Sequence, residues 1–117
     1  MKPEVFIDTS GFYALLVRGD DCHAAAAGFM ARARDLRCRL ATTDYVLDET
    51  ATLLKARGHA VLLPAFFGAL AETSNCRTVW CDPERFRQAR TYMLKHHDQP
   101  YSFTDCLSFC VMKEAGM

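Results

Sequence analysis

Three acids stand out in this sequence because each interrupts a locally apolar stretch. Asp8 closes the run Val5-Phe6-Ile7 and is followed by Thr9-Ser10. Glu49 lies within Tyr45-Val46-Leu47-Asp48-Glu49-Thr50. Asp105 is the only charge between Asp98 and Lys113, within Ser102-Phe103-Thr104-Asp105-Cys106-Leu107-Ser108-Phe109. Carboxylates are hard oxygen donors of the kind that Mg²⁺ or Mn²⁺ requires. Like charges gathered at one place repel, so such a cluster calls for a cation or an extra proton. The chemistry in view is therefore metal-assisted attack of water on phosphorus.

Each acid also has a plainer reading. Asp8 can cap the helix that follows it, although Thr9 or Ser10 can do so equally well and leave Asp8 free. At about 100° per residue, Val46, Leu47, Thr50, Leu53 and Leu54 share one face of a helix. Glu49 borders that face and Asp48 points away from it, so Asp48 reads as a solvated acid and Glu49 as half-buried. A rim residue that snorkels to water is the alternative for Glu49. Ser102 followed three residues later by Asp105 fits a capping box. That role does not exclude a second one, since the start of a helix can hold Asp105 toward a cation. A buried carboxylate costs several kcal/mol unless it is paired or bound to a metal, and apolar residues lie almost all round this helix.

Short apolar runs alternate with longer stretches of helical spacing. Val5–Ile7, Arg39–Thr42 and Thr78–Cys81 read as strands. Helices follow at Phe12–Leu16, His23–Leu36, Tyr45–Arg57, Val61–Glu72, Pro83–Lys95 and from Ser102 to Gly116. Asp20 or Asp21 can cap the second helix, Thr43 or Asp44 the third and Asp82 the fifth, with Pro83 at its first position. Pro64 falls in the first turn of the fourth, where proline is tolerated, and Gly58 ends the third. This order predicts an α/β fold, a short parallel sheet covered on both faces in three α/β/α layers. Ligands in such sheets sit at the carboxyl ends of strands near a topological switch point, and Asp8 occupies one such end.

Bulk properties set the outer bounds. The chain has 117 residues, 50% of them apolar and 24% charged, which favours one soluble domain with one core. Lysine plus arginine and aspartate plus glutamate both number 14, so nucleic-acid binding cannot be argued from net charge. The six cysteines show no zinc-ligand spacing and read as buried, reduced thiols of a cytoplasmic protein. The start of the chain does not resemble a signal peptide, and no apolar run approaches membrane-spanning length. Arg85, Arg87, Arg90, Lys95, His96 and His97 form the densest basic stretch. Arg87 and Arg90 can meet phosphates, although such a run is more often the wet face of a helix. Tyr13, Tyr45, Trp80 and the phenylalanines read mostly as core.

Phe6-Ile7-Asp8-Thr9-Ser10, Tyr45-Val46-Leu47-Asp48-Glu49-Thr50 and Tyr101-Ser102-Phe103-Thr104-Asp105-Cys106 together resemble the successive acidic motifs of PIN domains, particularly VapC-like toxins of toxin–antitoxin systems. Order and spacing match over essentially the whole chain, and the first and last stretches are the more specific. The resemblance implies a three-layer PIN fold and a Mg²⁺- or Mn²⁺-dependent endoribonuclease. Asp8, Glu49 and Asp105 would be its catalytic metal ligands, with Thr9, Ser10 and Thr104 as hydroxyls near the metal or phosphate. It further implies an RNA substrate, a cognate antitoxin and a homodimer. The family pattern continues past the last helix into a fourth strand beside the first and a further acid, whereas this sequence ends at Glu114-Ala115-Gly116-Met117. The expectation is thus of a chain truncated before its last strand, with three candidate acids and an uncovered apolar edge along Val5-Phe6-Ile7. The same fold without cleavage, binding RNA or an antitoxin, is the competing expectation. A phosphatase with Asp8 as nucleophile ranks below it, because Ser10 stands where a second acid is usual.

Overall fold

A computed structural model describes residues 3–117. Three parallel strands, β1 (Glu4–Phe6), β2 (Arg39–Thr43) and β3 (Cys76–Val79), lie in the order β1-β2-β3. Val5 pairs with Leu40, and Thr42 with Thr78. Two helices follow each strand: α1 (Thr9–Leu16) and α2 (His23–Asp35), α3 (Asp44–Ala56) and α4 (Leu63–Glu72), then α5 (Pro83–Lys95) and α6 (Phe103–Glu114). A short 3₁₀ turn, Ala60–Leu62, precedes α4, which carries Pro64 in its first turn. Gly58 at φ +80° ends α3 in a conformation that a side chain would strain.

Because the strands follow sequentially, both right-handed crossovers return on the same side. Ile7 and Leu40 pack there with Phe12, Val17, Val46, Leu54 and Phe66 from the helices. On the other face Val79 packs with Ala89 of α5 and with Cys106, Leu107 and Val111 of α6. The apolar interior is thus two clusters, one on each side of the sheet, where the composition suggested one core. Pleat alternation explains the split: residues i and i+2 of each short strand share a face. Among the described residues the strand order never reverses, so the expected switch point is absent, and β1 stands at an edge.

Other local expectations shift. β3 begins and ends two residues earlier than the sequence suggests, and Trp80 is 66% exposed. The chain leaves the sheet there because the Cys81 amide donates to Asp44 Oδ1 at 2.9 Å. Neither Asp20 nor Asp21 caps α2; its N-cap is Cys22, without a side-chain bond. Asp20 instead closes the preceding turn, accepting from the Cys22 amide at 3.0 Å. Phe29, Phe67 and Phe86 are exposed rather than core. Only Cys38 and Cys106 are buried among the six free thiols. α6 buries one face, while Phe109 and Cys110 stay half-exposed in a groove against α5. No described helix is long and apolar enough to cross a membrane.

Candidate active site

The carboxyl end of β1 is fixed from two directions. The Ile7 amide donates to the Ala41 carbonyl at 2.8 Å, and the Thr42 hydroxyl donates to the Ile7 carbonyl at 2.9 Å. Thr42 is fully buried, so losing that bond would leave a carbonyl unsatisfied. The next residue, Asp8, leaves the core, and its carboxylate does not stay free of capping duty. Asp8 is the N-cap of α1: Oδ1 accepts from the Gly11 amide and from the Ser10 hydroxyl, both at 2.9 Å. Of the three adjacent residues able to cap this helix, Asp8 is the one that does so. Thr9 turns inward, and Ser10 braces the carboxylate. A Cβ at Gly11 would stand 3.3 Å from Asp8 Oδ1 and 3.2 Å from Ile7 Cγ2, so this close approach suits glycine.

Asp105 is held in a similar way. Ser102 and Asp105 form the expected capping box: the Ser102 amide donates to Asp105 Oδ2, and the Asp105 amide donates to Ser102 Oγ, each at 3.0 Å. In both aspartates one oxygen is tied to backbone, while Asp8 Oδ2 and Asp105 Oδ1 have no protein partner among the described residues. Glu49 is half-buried on α3 and Asp48 is exposed, as the periodicity predicts. α3 itself is started by Thr43, whose hydroxyl accepts from the Val46 amide.

Asp8, Glu49 and Asp105 line one cavity of about 730 Å³, together with Thr9, Ser10 and Thr104. Residues separated by most of the chain are brought together because β1, α3 and α6 all start or end at this side of the sheet. The cavity also takes in residues that the sequence reading missed: Asp20, Tyr13 and Arg57. Arg57 could have been found from spacing, since it follows Glu49 and Leu53 at intervals of four along α3. Asp20 gave no such signal, because a loop acid before a helix looks like any cap. Arg87 and Arg90 are not part of this cavity. They border a separate depression with Phe86 beyond the start of α5.

The carboxylates and hydroxyls of this cavity suit a hard divalent cation, and no imidazole lines it, although the exposed Cys22 thiol does. Cys106 lies beneath Asp105, and burial pushes its thiol above the ordinary range, with the Asp105 charge adding to that. It is a protonated filler rather than a thiolate ligand. Thr9 Oγ1 is buried and has no hydrogen-bond partner, an orphaned polar atom at the wall of the same cavity. The acids are gathered but not closed around a point: among the described residues no three Asp, Glu, His or Cys side chains converge tightly enough to hold an ion as placed.

A parallel α/β sheet with acids gathered at its carboxyl edge is the architecture of a PIN domain. Residues 5–117 match the PIN domain family, and the chain belongs to it. It is 34% identical over 114 residues to the 23S rRNA-specific endonuclease VapC20 of Mycobacterium tuberculosis strain H37Rv, covering 97% of this chain and 83% of that protein. The same figures hold for VapC20 of strain CDC 1551. The crystal structure of M. tuberculosis VapC20, described as a sarcin–ricin loop cleaving toxin, superposes with a TM-score of 0.85 at 30% identity. That match covers 97% of this chain and 84% of the other.

Proposed function

We propose that this chain is a Mg²⁺- or Mn²⁺-dependent endoribonuclease, the toxin of a toxin–antitoxin pair, acting in the cytoplasm as one PIN-like domain. The observation that carries this reading is the meeting of Asp8, Glu49 and Asp105, from three separate elements, on one cavity. The kinship to VapC20 supports ribosomal RNA as the substrate class, together with a cognate antitoxin. A homodimer is carried over from the family resemblance alone.

Asp8, Glu49 and Asp105 would hold the metal, which when bound would activate water and neutralise charge on the leaving oxygen. The protein's own part is positioning. Gly11 and Ser10 fix the Asp8 carboxylate, and the Ser102 amide fixes that of Asp105, each leaving a second oxygen directed by a helix start. Glu49 has no such brace and is the adjustable member. Thr104 supplies a hydroxyl at the rim for a phosphate oxygen, while the Ser10 hydroxyl proton is engaged by Asp8.

Dispersed carboxylates favour one competing reading, a module that binds RNA or antitoxin without cutting. Titration with Mn²⁺ separates the two, because a ligand of the native state alone must raise stability. The nuclease should gain thermal stability with Mn²⁺ and should cut 23S rRNA in a reaction that EDTA stops. Absence of both effects would leave the binding module standing.

A further inference from the structure

Four acids line the candidate site, and Arg57 is the cation that lines it with them. Arg57 closes α3 as its C-cap, two turns beyond Glu49 on the stripe that passes through Leu53. Its guanidinium carbon lies over the Tyr13 ring, 5.0 Å from the centroid. Tyr13 is 8% exposed and also meets the His59 ring edge-on, so this ring is a fixed platform rather than a mobile one. A guanidinium that gives its face to an aromatic ring keeps the N–H donors of its edge for an acceptor. Among the described residues, that edge pairs with no carboxylate, although acids stand in the same cavity. Arg77, Arg85 and Arg87 are each paired with an acid; what sets Arg57 apart from the other arginines without an ion pair is its place over a ring in the acid cavity.

An exposed cation that is immobilised by stacking and left without an anion suits an anion that arrives with the substrate. Resting on the nuclease reading above, we infer that Arg57, presented by Tyr13, receives a backbone phosphate of the RNA flanking the bond that is cut. An acid-lined cavity repels a polyanion, and a fixed Arg at its margin offsets that repulsion where the strand enters. Arg57 thereby sets the position of the strand, while the acids carry the chemistry.

The test is steady-state cleavage of purified 23S rRNA, with binding measured over a range of salt. Arg57→Ala should raise KM about tenfold or more, the loss expected for a charge-assisted bond, and leave kcat within about twofold. The slope of log affinity against log salt should fall by about 0.7 to 0.9, the share of one phosphate contact. Arg57→Lys should restore the slope and only part of the affinity, since a point charge neither stacks nor forks. Unchanged KM and salt slope in Arg57→Ala would overturn the inference, including the case in which only its melting temperature falls and the pair proves purely structural. A drop in kcat at constant KM would overturn it too, by placing Arg57 at the reacting phosphate. If the wild-type chain neither binds nor cuts RNA, the nuclease reading itself falls and this inference with it; if wild type cuts and Arg57→Ala equals it, this inference falls alone.

Discussion

Charge is handled in opposite ways at the acid cavity and along α5. Around α5, basic side chains stand beside acids: Arg85 meets Asp82 at 3.1 Å and Glu114 at 2.8 Å, and Arg87 meets Glu84. The acids and Arg87 are half exposed or more and Arg85 only partly buried, so each pair contributes little. In the cavity, four acids outnumber a single cation, Arg57, and none of these charges forms an ion pair among the described residues. Only hydrogen bonds to backbone amides and one hydroxyl hold the aspartates in place. Evenly matched charge at a surface is what solubility requires. Unmatched charge that the fold takes trouble to orient points to an absent partner ion or substrate. The difference separates the acids from the α5 arginines, which the sequence offered as lower-ranked candidates for phosphate contact.

The sharpest way to break this contrast is to remove charge on each side and compare rates. Asp8→Asn and Asp105→Asn should each lower RNA cleavage by about a hundredfold or more, beyond the 10–100-fold typical of outer-sphere supports. The double variant Arg87→Ala/Arg90→Ala should stay within about tenfold of wild type. If the arginine variant loses as much as the acid variants in a gel-based cleavage assay, the contrast fails. A smaller effect is expected from Ser102→Ala. It removes the cap of α6 and should lower unfolding free energy by about 1 kcal/mol in urea titration. Cleavage should fall as well, since the Asp105 backbone then loses the bond that fixes the helix start.

The least change is expected at the far end of the sheet. Glu4 accepts a two-point contact from Arg77, at 2.7 and 2.8 Å, which ties β1 to β3 across β2. The Arg77 hydrogen bonds hold the Glu4 carboxyl below its ordinary value of 4.5. A depressed folded-state pKa stabilises the fold above the unfolded value, and this stabilisation is lost as pH falls through the lower folded value. Arg77 is about half exposed, so the contribution is well under about 1 kcal/mol. Glu4→Gln should therefore melt slightly earlier at pH 7 and show a shallower loss of stability below pH 4.5 than wild type. Equal melting temperatures at pH 7 would show that solvent screening cancels the pair.

Much of this arrangement was legible in the sequence, for physical reasons that differ by residue. Asp105 and Ser102 were readable because a capping box is a local spacing rule. Glu49 was readable because helical periodicity separates it from Asp48. β3 was misplaced because Thr78-Val79-Trp80-Cys81 has strand propensity throughout, and the bond that ends the strand comes from Asp44, remote in sequence. The role of Asp8 as cap was left open because three adjacent residues have the same capping chemistry, and only the inward turn of Thr9 decides among them. Tyr13 and Arg57 were not legible as a pair at all, since nothing local relates a residue of α1 to the end of α3.

The capping role of Asp105, added to the metal-holding role proposed for it, has a practical consequence for anyone wishing to produce a harmless form of this protein. Replacement by alanine would silence the acid and at the same time free the Ser102 amide, so a failed preparation could not be told from a loosened α6. Asparagine keeps a carbonyl oxygen for that amide while discarding the negative charge, and is the better choice for an inert standard in toxicity or antitoxin-capture experiments.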